Sequence, residues 1–75
     1  MQFIEMTGAT LLAMLHPEEM GDKNLHDEGI EDGSIVRINL HGDIEVRRRA
    51  GWDVIGGLLG EFEDRVKKAS GLEWA

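Results

Sequence analysis

Seventy-five residues with a net charge of −7 and no cysteine predict a single domain, residues 1–75, whose small core is reinforced by neither a disulfide nor a thiolate-held metal. The acidity argues against direct nucleic-acid binding. The apolar stretches Leu11 to Leu15 and Trp52 to Leu59 fall well short of the roughly 20 residues a membrane span needs, and the opening residues lack the basic segment of a signal peptide, so a cytoplasmic protein without membrane contact is expected.

Taken in chain order, "MQFIEM" (1–6) has the content of a short strand. In "TGATLLAML", Thr7 either caps a helix over Ala9 to Leu15, ending ahead of Pro17, or forms with Gly8 a turn into a second strand. Residues 17–33, "PEEMGDKNLHDEGIEDG", carry seven acids against Lys23 alone, a net of −6, while the rest of the chain is nearly neutral. This stretch is predicted to be a loop with room for a helical turn at Pro17. "SIVRINLHGDIEVRRR" predicts a hairpin with a loop of His41, Gly42 and Asp43, pairing Leu40 with Ile44, Ile38 with Val46 and Val36 with Arg48. That register places Arg37, Arg47 and Arg49 on the opposite face, with Arg37 directly across from Arg47 and in need of neutralisation from the acidic loop.

The opening "MQFIEMTG" is similar to the way ubiquitin begins, and "GIEDGSIVRINL" resembles the closing stretch of ubiquitin-like domains. Together they span under a third of the chain. The resemblance implies a main helix between the second and third strands, whereas here the best helical pattern comes last and no free terminal double glycine follows it.

That last pattern runs over residues 52–69, where Trp52, Ile55, Leu58, Leu59, Phe62, Val66 and Ala69 share a stripe at 100° per residue. Gly56, Gly57 and Gly60 lie on its far side, each costing about 1 kcal/mol in a helix. Three accounts stay open: the helix starts near Gly60 or Glu61 and the preceding residues are strand or loop; the helix is continuous and Gly56 and Gly60 admit a second chain closely; or the glycines let the segment reorient on binding.

The expected fold is α+β, a three- or four-stranded antiparallel sheet covered by a C-terminal helix. Phosphate-binding glycine motifs are absent, the three histidines have no compact ligand spacing, and a cation at His26, Asp27 and Glu31 misses the EF-hand pattern. Neither Ser34 nor Ser70 has a readable base and orienter; Ser34 fits a turn-supporting role. No catalytic, cofactor or metal residues are therefore assigned. The expected function is a non-catalytic protein-interaction domain, an adaptor, inhibitor or accessory subunit that binds another protein or itself as a homodimer. Arg37, Arg47 and Arg49 supply charge to that contact, and Gly56, Gly60 and Trp74 supply close packing. Two alternatives are a nucleic-acid mimic presenting Glu28, Glu31 and Asp32 to a DNA- or RNA-binding protein, and a small enzyme with an undisclosed site.

Overall fold

The computed structural model describes residues 2–16, 19 and 29–74. Its opening residues form strand β1 (Phe3–Thr7), which buries Ile4 and Met6 on one face and leaves Phe3, Glu5 and Thr7 on the other, as the two-residue period of a strand requires. Helix α1 (Gly8–Met14) follows at once. The Thr7 hydroxyl accepts the Thr10 N–H at 3.2 Å, satisfying a donor that the helix itself leaves unpaired. Of the two readings of this stretch, the capped helix is the one that forms, and Leu11 and Met14 point into the core.

Residues 17, 18 and 20–28, where the acidic loop and the helical turn at Pro17 are expected, lie outside the described residues. Beyond them Ile30 is fully buried. Ser34 supports a turn as expected: its hydroxyl accepts the Glu31 N–H at 2.9 Å while its own N–H donates to the Glu31 carbonyl at 3.0 Å.

Strands β2 (Ile35–Asn39), β3 (Asp43–Arg48) and β4 (Gly51–Gly57) complete an antiparallel sheet in the order β1-β2-β3-β4. The α+β expectation thus holds with four strands. Three residues, Leu40 to Gly42, join the second strand to the third, which leaves no place there for the helix that the ubiquitin-like resemblance implies.

The hairpin register differs from expectation. Val36 faces Val46, Arg37 faces Glu45 and Ile38 faces Ile44, so the loop lies one residue earlier than predicted and Leu40 stands at the turn, 38% exposed, instead of pairing with Ile44. Turn chemistry decides this. Gly42 takes φ 85° and donates its N–H to the Asn39 carbonyl at 3.0 Å, the left-handed position that ends a three-residue hairpin loop and suits glycine. The Asn39 side chain accepts the N–H groups of His41 at 2.9 Å and Asp43 at 3.1 Å, and donates to the Asp43 carboxylate at 3.1 Å. Because Asn39 is only 6% exposed, Asn39→Ala is expected to cost about 2 kcal/mol, read as a lower urea midpoint at unchanged slope.

Residues 51–57 are strand, and helix α2 (Glu63–Ser70) begins only after Phe62. The continuous helix is excluded, and with it a glycine surface built from Gly56 and Gly60. Gly56 faces Ile44 within the sheet, while Gly60 turns the chain between β4 and α2 with φ 66°, a conformation that penalises a side chain. Within β4 the register shifts: Ile44 faces Gly56 but Glu45 faces Val54, leaving Ile55 as an inserted residue.

The two helices α1 and α2, those among the described residues, lie on one face of the sheet, α1 against β1 and β2, and α2 against β1 and α1. Ile4, Met6, Val36, Ile38, Ile44 and Val46 meet Leu11, Met14, Ile30, Leu58, Phe62 and Val66 there to form the core. Glu63 and Asp64 in the first turn of α2 and Lys67 and Lys68 in its last complement the helix dipole.

Candidate protein interface

The other face of the sheet carries the molecule's most distinctive cluster. Alternation places Phe3 and Glu5 from β1, Ile35 and Arg37 from β2, Glu45 and Arg47 from β3, and Trp52 and Val54 from β4 on it, and cross-strand pairing arranges them in rows. One row runs Glu5, Arg37, Glu45, Val54; Arg47 and Trp52 stand together in the row beside it. Among the described residues, no helix packs on this side.

Arg37 is its centre. The guanidinium carbon lies 4.5 Å from the centroid of the Phe3 ring and 4.1 Å from that of Trp52, both within cation-π range. Its Nε and Nη2 donate to the two carboxylate oxygens of Glu45 at 3.2 and 3.1 Å, a forked pair that fixes the plane of the guanidinium as well as its charge. The side chains of Arg37 and Glu45 are 21% and 13% exposed. The expectation that Arg37 opposes Arg47 and relies on the acidic loop is therefore corrected: its neutralising partner is Glu45, one strand away. Arg37 consequently organises two aromatic rings and brings little free charge to a partner.

The remaining expected residues separate. Arg47 is exposed on this face opposite Trp52, whereas Arg49 is exposed in the turn between β3 and β4. Arg48, on the other side of the strand, lies 3.5 Å from Asp53. Gly56 and Gly60 are apart from this cluster, one inside β4 and one in the connection that follows. Trp74 is half-buried and stands edge-on to Phe62, with centroids 6.3 Å apart at 80°, so it closes the end of the core. Its indole Nε1 is buried without a hydrogen-bond partner among the described residues. Of the acidic trio, Glu31 and Asp32 are exposed beside the Ser34 turn, and Glu28 lies outside the described residues.

Around Ile35, 41% exposed, and Val54, 58% exposed, the same face offers aliphatic surface to solvent. An antiparallel sheet with one wet face ordinarily covers it with polar residues. Aromatic rings, a stacked arginine and exposed aliphatics are instead the composition of a protein-contact surface.

Sequence reasoning did not foresee Phe3 or Glu45 in this arrangement, nor a second ionic cluster on the far side of the molecule. There Arg65 donates through Nη1 and Nη2 to the two oxygens of Glu19, both at 2.6 Å, and through Nη1 to the Met14 carbonyl at 3.0 Å. The Glu19 carboxylate also accepts the N–H groups of His16 at 2.9 Å and Leu59 at 2.7 Å, and its side chain is 1% exposed. The Arg65 hydrogen bonds hold its pKa down to about 2 against an opposing push from burial, with the two backbone N–H groups adding to the depression. Every oxygen of this pair is committed to holding elements together, which makes it a structural clasp.

No group of metal-ligating side chains is assembled among the described residues. A shallow groove between α1 and α2, about 450 Å³, is lined by Ala9, Thr10, Ala13, Met14 and Ala69, none of which titrates. No described helix is long and apolar enough to cross a membrane. Compared with protein-family models, with curated proteins and with solved structures, the chain matches none.

Proposed function

We propose that this chain is a non-catalytic protein-interaction domain of the cytoplasm, an adaptor, inhibitor or accessory subunit, and that its contact surface is the helix-free face of the sheet. The observation that carries this reading is the ordering of Arg37 between Phe3 and Trp52 beside exposed Ile35 and Val54. A core has no use for these groups, because they lie on the side of the sheet away from it. Rigid aromatics with an adjacent aliphatic rim are what a protein partner can bury at small entropic cost.

The test is a photo-crosslinking amino acid placed at Val54 in the cells that make the protein, with Glu63, exposed on α2, as the control site. Protein adducts formed from position 54 and not from position 63 are expected. Equal or absent labelling at the two positions would overturn the assignment.

A further inference from the structure

Resting on that reading, we infer that the occupant of the helix-free face is an acidic segment of a different protein, one that carries apolar side chains beside its carboxylates and docks on Arg47 and Arg49. The argument starts from the four arginines between residues 35 and 51. Arg37 is forked to Glu45 and stacked on two rings, so its charge is satisfied within the chain. Arg48 lies on the other side of β3, 3.5 Å from Asp53. Arg47 and Arg49 are exposed and, among the described residues, neither has an ion-pair partner.

A chain of net charge −7 therefore presents an unneutralised positive point at one end of its contact face. Glu5, the exposed acid of that face, stands two strands and one step away from Arg47, about 12 Å on the spacing of a sheet. A local reversal of sign of this kind steers an oppositely charged partner to the face and turns away a like-charged one.

The surroundings of Arg47 define the rest of the partner. Trp52 is its cross-strand neighbour on β4. Continuing the register one residue past Val36 and Val46 brings Ile35, 41% exposed, level with it on β2. Val54, 58% exposed, follows one step along β4 from Trp52. Neighbouring strands lie about 4.8 Å apart, so a carboxylate seated on Arg47 has apolar surface on both sides. A bare polyanion would leave that surface wet. An acid flanked by aliphatic or aromatic residues covers it, and the lower local dielectric then strengthens the forked hydrogen bonds that a guanidinium gives a carboxylate. Nucleic acid fits less well, because two cations neutralise few phosphates and the charge of the chain repels the rest.

Random peptides of about twelve residues, displayed on phage and selected on the immobilised chain, supply the probe. The enriched peptides are expected to carry a net negative charge, with Leu, Ile, Phe or Trp next to their acids. Measured by fluorescence anisotropy, their affinity should fall about tenfold in the Arg47→Glu, Arg49→Glu double variant, and about tenfold in the wild type between roughly 50 and 500 mM salt. Both positions are exposed, so the variant should keep the urea midpoint of the wild type, which separates a lost contact from a lost fold.

Enriched peptides that are neutral or basic, or whose binding ignores the charge reversal, would overturn the acidic occupant. So would a thymidine oligonucleotide that binds more tightly than any selected peptide. Light scattering is expected to hold at 8.4 kDa; a mass that doubles in the wild type and reverts in the charge variant would give the acids to a second copy and overturn a different partner. Val54→Asp separates these failures from failure of the interaction reading. If it weakens the selected peptides while charge reversal does not, the contact face stands and only its acidic occupant falls. If neither variant changes binding, both fall. A selection that enriches nothing overturns the acidic segment and leaves the contact face to the crosslinker at Val54.

Discussion

Arg65→Met is expected to lower the stability of the fold by about 3 kcal/mol, since removing one member of a buried ion pair strands the other. Domains of this size have roughly 5 kcal/mol in total, so the variant should keep only about 2 kcal/mol and unfold at a much lower urea concentration. The loss would come from Glu19, whose side chain is 1% exposed and which keeps only the His16 and Leu59 N–H groups once the guanidinium is gone. Urea titration followed by circular dichroism measures it.

Changing pH provides an internal check. In the wild type the Glu19 pKa is depressed from 4.5 to about 2, so the pair's contribution is fully present above pH 4.5 and disappears as pH falls through about 2. The shift corresponds to about 3 kcal/mol. In the methionine variant burial acts on the carboxylate without the opposing guanidinium, and its pKa rises. The stability gap between the two proteins should accordingly be wide at neutral pH and close toward pH 2. A gap that stays constant across this range would show that Arg65 acts through its packed methylenes and not through Glu19.

Gly8→Ala is the second change of large expected effect, again about 3 kcal/mol, although alanine is the better helix former by about 1 kcal/mol. A methyl group here would sit inside van der Waals contact with the Glu31 carbonyl oxygen and 3.1 Å from the Ile30 side chain, which is fully buried. Neither neighbour has room to yield. The start of α1 is docked on this turn by backbone hydrogen bonds from Gly8 to the Ser34 carbonyl at 2.8 Å and from Ala9 to the Asp32 carbonyl at 3.1 Å, so relief of the clash would cost both. Gly33→Ala is the control within the same turn, because nothing lies within 4 Å of its added methyl. Near-equal destabilisation by the two substitutions would refute the steric account.

These two sites also mark where the sequence was legible and where it was not. The strand-to-helix switch at Thr7 carries a local signature, a β-branched hydroxyl residue ahead of an apolar run, and the fold follows it. Residues 52–60 stayed open between helix and strand because a bulged edge strand and its connection happen to space Trp52, Ile55, Leu58 and Leu59 as a helix does; the account in which strand and connection precede a helix starting near Gly60 or Glu61 is the one that forms. The hairpin register turned on Gly42: pairing apolar residues across the loop pointed to a loop of 41–43, but the left-handed glycine and the Asn39 side chain moved it to 40–42. That single shift replaces an Arg37–Arg47 opposition with an Arg37–Glu45 pair. The stacking of Arg37 on Phe3 and Trp52, and the clasp between Glu19 and Arg65, join residues far apart in the chain. No local pattern announces such contacts before the strand order is known.

The inserted residue at Ile55 bears on what the outer edge of β4 can do. A foreign strand laid along that edge would find side chains alternating correctly from Gly51 as far as Val54 and inverted beyond it, so its own alternation would fail after one short stretch. Sheets that grow into fibres add identical strands in unbroken ladders, and this edge cannot be copied in that way. The bulge thus makes the β4 edge, beside exposed Val54, a poor template for a ladder of identical strands.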